Sequence, residues 1–176
     1  MSRELSLLFL ALALAISAAV FDVQQRRIPN RLTYPAMVAG VALRGVLFGW
    51  RGVLTAAEGW ALAGGIVFLF YLVRAMGAGD VKLLAAIGSL VGPRHALAVL
   101  LATAIFGGLF AIVYAIYRGR MRSTLRNVGS VLWFHARSGL QAHPELNLDN
   151  PATLRMPYGV AIAAGTLYAC LATWWG

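Results

Sequence analysis

The chain has six carboxylates in 176 residues: Glu4, Asp22, Glu58, Asp80, Glu145 and Asp149. Two stand apart by context. Asp22 follows a long uncharged run and opens Asp22-Val23-Gln24-Gln25-Arg26-Arg27-Ile28-Pro29-Asn30. Asp80 closes Met76-Gly77-Ala78-Gly79-Asp80 and leads into Val81-Lys82-Leu83-Leu84. Two carboxylates within a few ångströms cannot both ionise easily, so such a pair shares one proton. The ionised member then takes a proton from water while its partner donates one to a carbonyl under attack. That is aspartic protease chemistry, and it needs no metal, nucleophilic serine or cofactor. The plainer role for each aspartate is a helix cap or an arginine partner.

The other polar residues read more simply. Glu4 at the terminus, and Glu145 and Asp149 in a polar loop, are expected to be solvated, while Glu58 is expected to pair with Arg51. His95, His135 and His143 are scattered, which argues against a metal site, and Cys170 has no second cysteine to bridge to. Gly77 and Gly79 would shape the site by allowing backbone geometries and close approaches that other residues resist. Lys82 would tune the pair or snorkel to the membrane boundary. Arg26 and Arg27 read as anchors or weak substrate contacts, and Asn30 as a contact near the site or, preferably, a helix cap.

The elements that must position these residues are membrane spans. The chain is 60% hydrophobic and 12% charged, against roughly 45–50% and 25% in soluble domains. A span needs about 20 apolar residues. The apolar stretches are 5–21, 32–50, 54–73, 81–91, 95–117 and 157–175, the fourth short and closed by Gly92-Pro93. The first is read as retained, because Asp22 and a polar loop leading to another span follow it. The predicted fold is therefore all-α and polytopic, one domain over 1–176 with six transmembrane helices.

The net charge is +9. In a membrane chain this excess flanks spans and faces anionic lipid; it does not point to nucleic acid. Six spans put loops 22–31, 74–82 and 118–155 on one side. These hold Arg26, Arg27, Arg31, Arg74, Lys82, Arg118, Arg120, Arg122, Arg126, Arg137 and Arg155, leaving only Arg3, Arg44, Arg51 and Arg94 opposite. Positive loops stay inside, so the first group and both aspartates are predicted to be cytoplasmic. Within 118–155, Val128, Val131, Leu132, Trp133 and Leu140 recur at near-helical spacing among Arg126, His135 and Arg137. That predicts a basic amphipathic helix on the cytoplasmic leaflet, followed by a polar loop at 143–151. A small ion-coupled transporter relaying protons through Asp22 and Asp80 is the competing reading. It would favour internal repeats and midplane carboxylates, whereas this chain shows no repeat and puts both carboxylates at one face.

Three islands carry a family resemblance. Gly77-Ala78-Gly79-Asp80-Val81-Lys82-Leu83 resembles the GxGD motif of type IV prepilin peptidases, which are membrane aspartic proteases. Asp22 with Arg27-Ile28-Pro29-Asn30 resembles that family's first aspartate and its R-I-P-N run. Arg155-Met156-Pro157-Tyr158-Gly159 resembles the family's R-x-P-Y-G opening of the last span. The size resembles the short branch serving Tad/Flp-type pili. The resemblance implies Asp22 and Asp80 as catalytic residues of a bacterial inner-membrane enzyme. It also implies a prepilin substrate whose short basic leader is cut at the cytoplasmic face, beside its hydrophobic segment. Larger members carry paired cysteines in an N-terminal extension and also methylate the new N-terminus. With Cys170 alone, this chain does not match that pattern.

Overall fold

The computed structural model describes residues 3–119, 121–139, 141 and 157–175, and among these it is helical with no strand. The helices are α1 (Arg3–Gln25), α2 (Asn30–Leu72), α3 (Ala78–Tyr117), α4 (Met121–Ser138) and α5 (Tyr158–Trp175). By length and composition α1, α2 and α3 can each cross a membrane. Each of the six apolar stretches falls on helix: one on α1, two each on α2 and α3, and one on α5.

Two glycines divide the long helices. Gly49 has φ 65° and Gly92 has φ 76°, the left-handed side that residues with a Cβ resist. After Gly92, Pro93 also lacks the N–H that would continue the ladder. At Gly49 the chain folds back on itself. Arg44 Nε donates to Thr55 Oγ1 at 3.1 Å, although residues eleven apart in a straight helix would be about 16 Å apart. Gly52 rests directly on the Arg44 carbonyl, an approach that a Cβ would block.

The first arm of α3 is the centre of the fold. Every residue from Leu83 to Gly92 is buried. It lies between the two arms of α2, with Gly40 against Ser89, Gly59 against Gly88, and Gly64 against Ala85. Such backbone-to-backbone approaches need small residues, and they supply the packing that apolar solvent cannot drive. The glycine pairs Gly64-Gly65 and Gly107-Gly108 each face a neighbour with one member. Gly64 and Gly107 are packed, while Gly65 and Gly108 open onto empty space. On the other side α5 runs antiparallel to α1, with Cys170 Sγ donating to the Leu8 carbonyl at 3.3 Å and Trp174 edge-on to Phe9. Gly165 lies against Thr103 and Val99 of the second arm of α3.

A buried cation ties the far end together, and it corrects two expectations. Arg44 is 5% exposed. Its Nη1 and Nη2 donate to Glu4 Oε2 at 3.1 Å and Oε1 at 3.0 Å, and Nη1 also donates to the Leu90 carbonyl at 3.0 Å. Its guanidinium stands 5.2 Å from the centre of the Phe48 ring. Glu4 is thus a structural partner instead of a solvated terminal charge. Among the described residues the ion pair found is Arg44–Glu4, with none between Glu58 and Arg51. Glu58 is exposed and has no buried cation to satisfy, whereas Arg44 demands a carboxylate once the fold buries it.

The helix α4 exposes the apolar Leu125, Val128 and Trp133 together with Arg122, Arg126 and Arg137. The Arg137 guanidinium lies 4.1 Å from the centre of the Trp133 ring. The polar loop expected at 143–151 lies outside the described residues.

Candidate active site

At the end of the bundle opposite Arg44, three chain segments converge: the turn from α1 to α2, the start of α3, and the start of α5. Asp22 sits on the last full turn of α1, with its side chain buried. The helix stops just beyond it, where Arg26 adopts φ 51° and donates its N–H to the Asp22 carbonyl at 2.8 Å. Ile28 is buried, and Pro29 in extended conformation begins α2.

Asp80 is the third residue of α3, where the free N–H groups of a helix start favour a carboxylate. Its Oδ2 accepts from the Gly77 N–H at 3.2 Å. The Asp22 carboxylate acts on Asp80 electrostatically, so the two acids, carried by separate helices, share one neighbourhood. Asp22 has an anchor of its own: its Oδ2 accepts from the buried Gly159 N–H at the start of α5, at 2.8 Å. The Asp80 charge also reaches the half-buried Tyr158. Both aspartates therefore act as helix caps, and each keeps one carboxylate oxygen for other work. Each caps a helix start through Oδ2, and among the described residues no donor engages Oδ1 of either.

The other expected site residues divide. Gly79 is helical and corrects its assigned reason. Its lack of a side chain makes room for Ile28, whose Cβ would lie 3.1 Å from an added Cβ, so the glycine locks the start of α3 onto the α1–α2 turn. Gly77 has φ −78° and ψ 151°, a conformation open to most residues, and its contribution is the N–H given to Asp80. Asn30 does not cap α2. The cap position is Pro29, and Asn30 Oδ1 accepts from Lys82 Nζ at 3.0 Å. Lys82 thus joins the starts of α2 and α3 and stands 5.1 Å from the centre of the Tyr34 ring. Arg26 and Arg27 are exposed in the turn. Among the described residues no three of His, Cys, Asp and Glu gather as a metal would require.

Sequence reasoning missed Tyr158 and Gly159 as parts of the site. The signal was the Pro157-Tyr158-Gly159 run opening an apolar stretch, which marks a helix start but names no partner. Arg155 and Met156 of that motif lie outside the described residues.

Two acids meeting beneath a glycine-flanked helix start agree with the sequence match. The sequence model of the type IV leader peptidase family covers residues 8–112. The chain belongs to that family. Its leader-peptidase relatives include the protein named prepilin leader peptidase/N-methyltransferase in two strains of Burkholderia pseudomallei, 1026b and K96243. Each is 39% identical over 120 residues, covering 64% of this chain and 37% of the relative. The chain thus spans little more than a third of the curated relatives it matches. No solved structure matches it. The leader-peptidase match includes Asp22, Arg27-Ile28-Pro29-Asn30 and Gly77 to Lys82, and it ends before α5.

Proposed function

We propose that this chain is a membrane aspartic endopeptidase that removes the basic leader from Flp-like type IV prepilins at the cytoplasmic face of the inner membrane. The observation that carries this reading is the meeting of Asp22 and Asp80, each oriented by one backbone N–H and each with a second oxygen left for chemistry. In this reading the pair shares one proton. The ionised carboxylate takes a proton from water, and the resulting hydroxide attacks the scissile carbonyl as the partner protonates its oxygen. The tetrahedral diol then collapses as one hydroxyl gives its proton to the ionised carboxylate, the C–N bond breaks, and the leaving amine receives a proton from the other acid. No metal or cofactor enters these steps.

The chain crosses the membrane six times in this proposal, as one domain. The helix α1, the two arms of α2, the two arms of α3, and α5 serve as the crossings. Reversal at Gly49 supports this, since α2 at 43 residues is about twice the length that spans a bilayer. Arg26, Arg27 and the arginines of α4 face cytoplasmic lipid headgroups, with the apolar side chains of α4 dipping into the interface. The test is cleavage of a leader-bearing pilin peptide by purified protein in liposomes. Asp22→Asn and Asp80→Asn should each abolish turnover while leaving thermal unfolding close to that of the parent. Near-parental turnover in either variant would refute the pair.

A further inference from the structure

We infer that Gly159 is a positioning residue for Asp22: having no Cβ, it lets the first turn of α5 close on the carboxylate and hold it through its own N–H. This rests on the reading of Asp22 as one of the catalytic pair. The contact is tight on three sides. A Cβ on Gly159 would lie 3.1 Å from both Cβ and Oδ2 of Asp22, and 3.2 Å from Cα of Ala19. The first two atoms belong to the side chain in question. The third is α1 backbone and cannot rotate away, so an alanine here must push α5 off α1 or turn the carboxylate.

The start of α5 is itself held in place. The Tyr158 ring lies on Gly107 of α3, where a Cβ would come within 2.9 Å of Cε2 and 3.0 Å of the hydroxyl oxygen. The same turn therefore touches Asp22 by a hydrogen bond and Asp80 by its field on Tyr158. A hydrogen bond given to a carboxylate at a helix start fixes which oxygen is held and which is left to face the substrate. Gly159 thus sets the direction of Asp22.

The experiment uses the full chain in liposomes, with Gly159→Ala compared with the parent. The expected result is a fall in kcat of about tenfold, since the clash calls for a shift of a few tenths of an ångström and a 1 Å misplacement costs about 10²-fold. KM should stay within about twofold, because the displaced group acts in the chemical step. A folded variant with unchanged kcat overturns the inference. So does one whose KM rises as kcat falls, because that is the mark of general loosening. If Gly159→Ala does not fold, the Gly159 amide resonance decides. It should shift between the parent and Asp22→Asn at one pH, and a resonance indifferent to that substitution overturns the inference. Full activity in Asp22→Asn would defeat the reading of the pair. Inactive Asp22→Asn beside unaltered Gly159→Ala would defeat only the role given to Gly159.

Discussion

Replacing Arg44 by methionine keeps the length of the side chain and removes its charge and all its donors. The loss has four parts that can be followed atom by atom, the smallest being the Nε bond to Thr55 Oγ1, which keeps its own bond to the Gly52 carbonyl. The Leu90 carbonyl, at the break of α3, loses its donor while buried, which costs about 1–3 kcal/mol. Glu4 loses both hydrogen bonds, but it is 35% exposed and can turn toward solvent, so its share is small. The stacking on Phe48 adds about 0.5–1 kcal/mol. The sum is about 3 kcal/mol, at the low end for breaking a buried ion pair. For a chain of this size that lowers the unfolding midpoint by about 9 °C. The assay is thermal unfolding of Arg44→Met, Glu4→Gln and the double variant in the same detergent. Glu4→Gln should cost less than Arg44→Met, and the two losses should fall well short of additive, because both break one pair. A midpoint within about 2 °C of the parent for Arg44→Met, or strictly additive losses, would refute the account.

Gly79→Val should abolish cleavage with a stability loss of about 1–3 kcal/mol, because its branches collide with Ile28 and move the α1–α2 turn that carries Asp22; cleavage and unfolding measured on one preparation check this. Gly59→Ala should destabilise by about 2 kcal/mol or more, since its Cβ would press on the Gly88 backbone, whereas Gly65→Ala, facing open space, should be neutral or slightly stabilising. Paired unfolding curves read the difference. Cysteines introduced at Arg51 and Ser123, with Cys170 replaced by alanine, should be labelled from opposite sides of the membrane. Labelling of both from the same side would refute the six-crossing topology.

The sequence made the apolar segments legible because each carries at most one charge and is bounded by charge, glycine or proline. Gly92-Pro93 marked its break openly. Asp22 and Asp80 are legible because so few carboxylates compete for attention, Asp22 closing a run that bars charge and Asp80 standing in a glycine-rich segment. Other features depend on contacts between distant segments, which local pattern does not encode. Arg44 looked like an interruption in an apolar stretch, and its partner lies 40 positions away. Asn30 read as a cap because its type and position suit one, yet Lys82 from another helix claims its oxygen. Gly79 was expected to serve backbone freedom, and what decides it is the side chain of Ile28. Gly159 gave no sign of its partner 137 positions earlier.

The buried first arm of α3 has a consequence for the bilayer around it. Residues 78–91 give about 21 Å of helix, well short of the roughly 30 Å hydrocarbon layer. A helix touching lipid with such a shortfall would strain the membrane or tilt away from it. This arm is sheathed by α2 and the helices behind it, so its length answers to its neighbours and not to lipid. The depth of Asp80 is therefore set by protein contacts such as Gly59 on Gly88, and hydrophobic mismatch acts only on the outer helices. Thinner or thicker lipids should change how those helices tilt while leaving the carboxylate at the same height relative to Asp22.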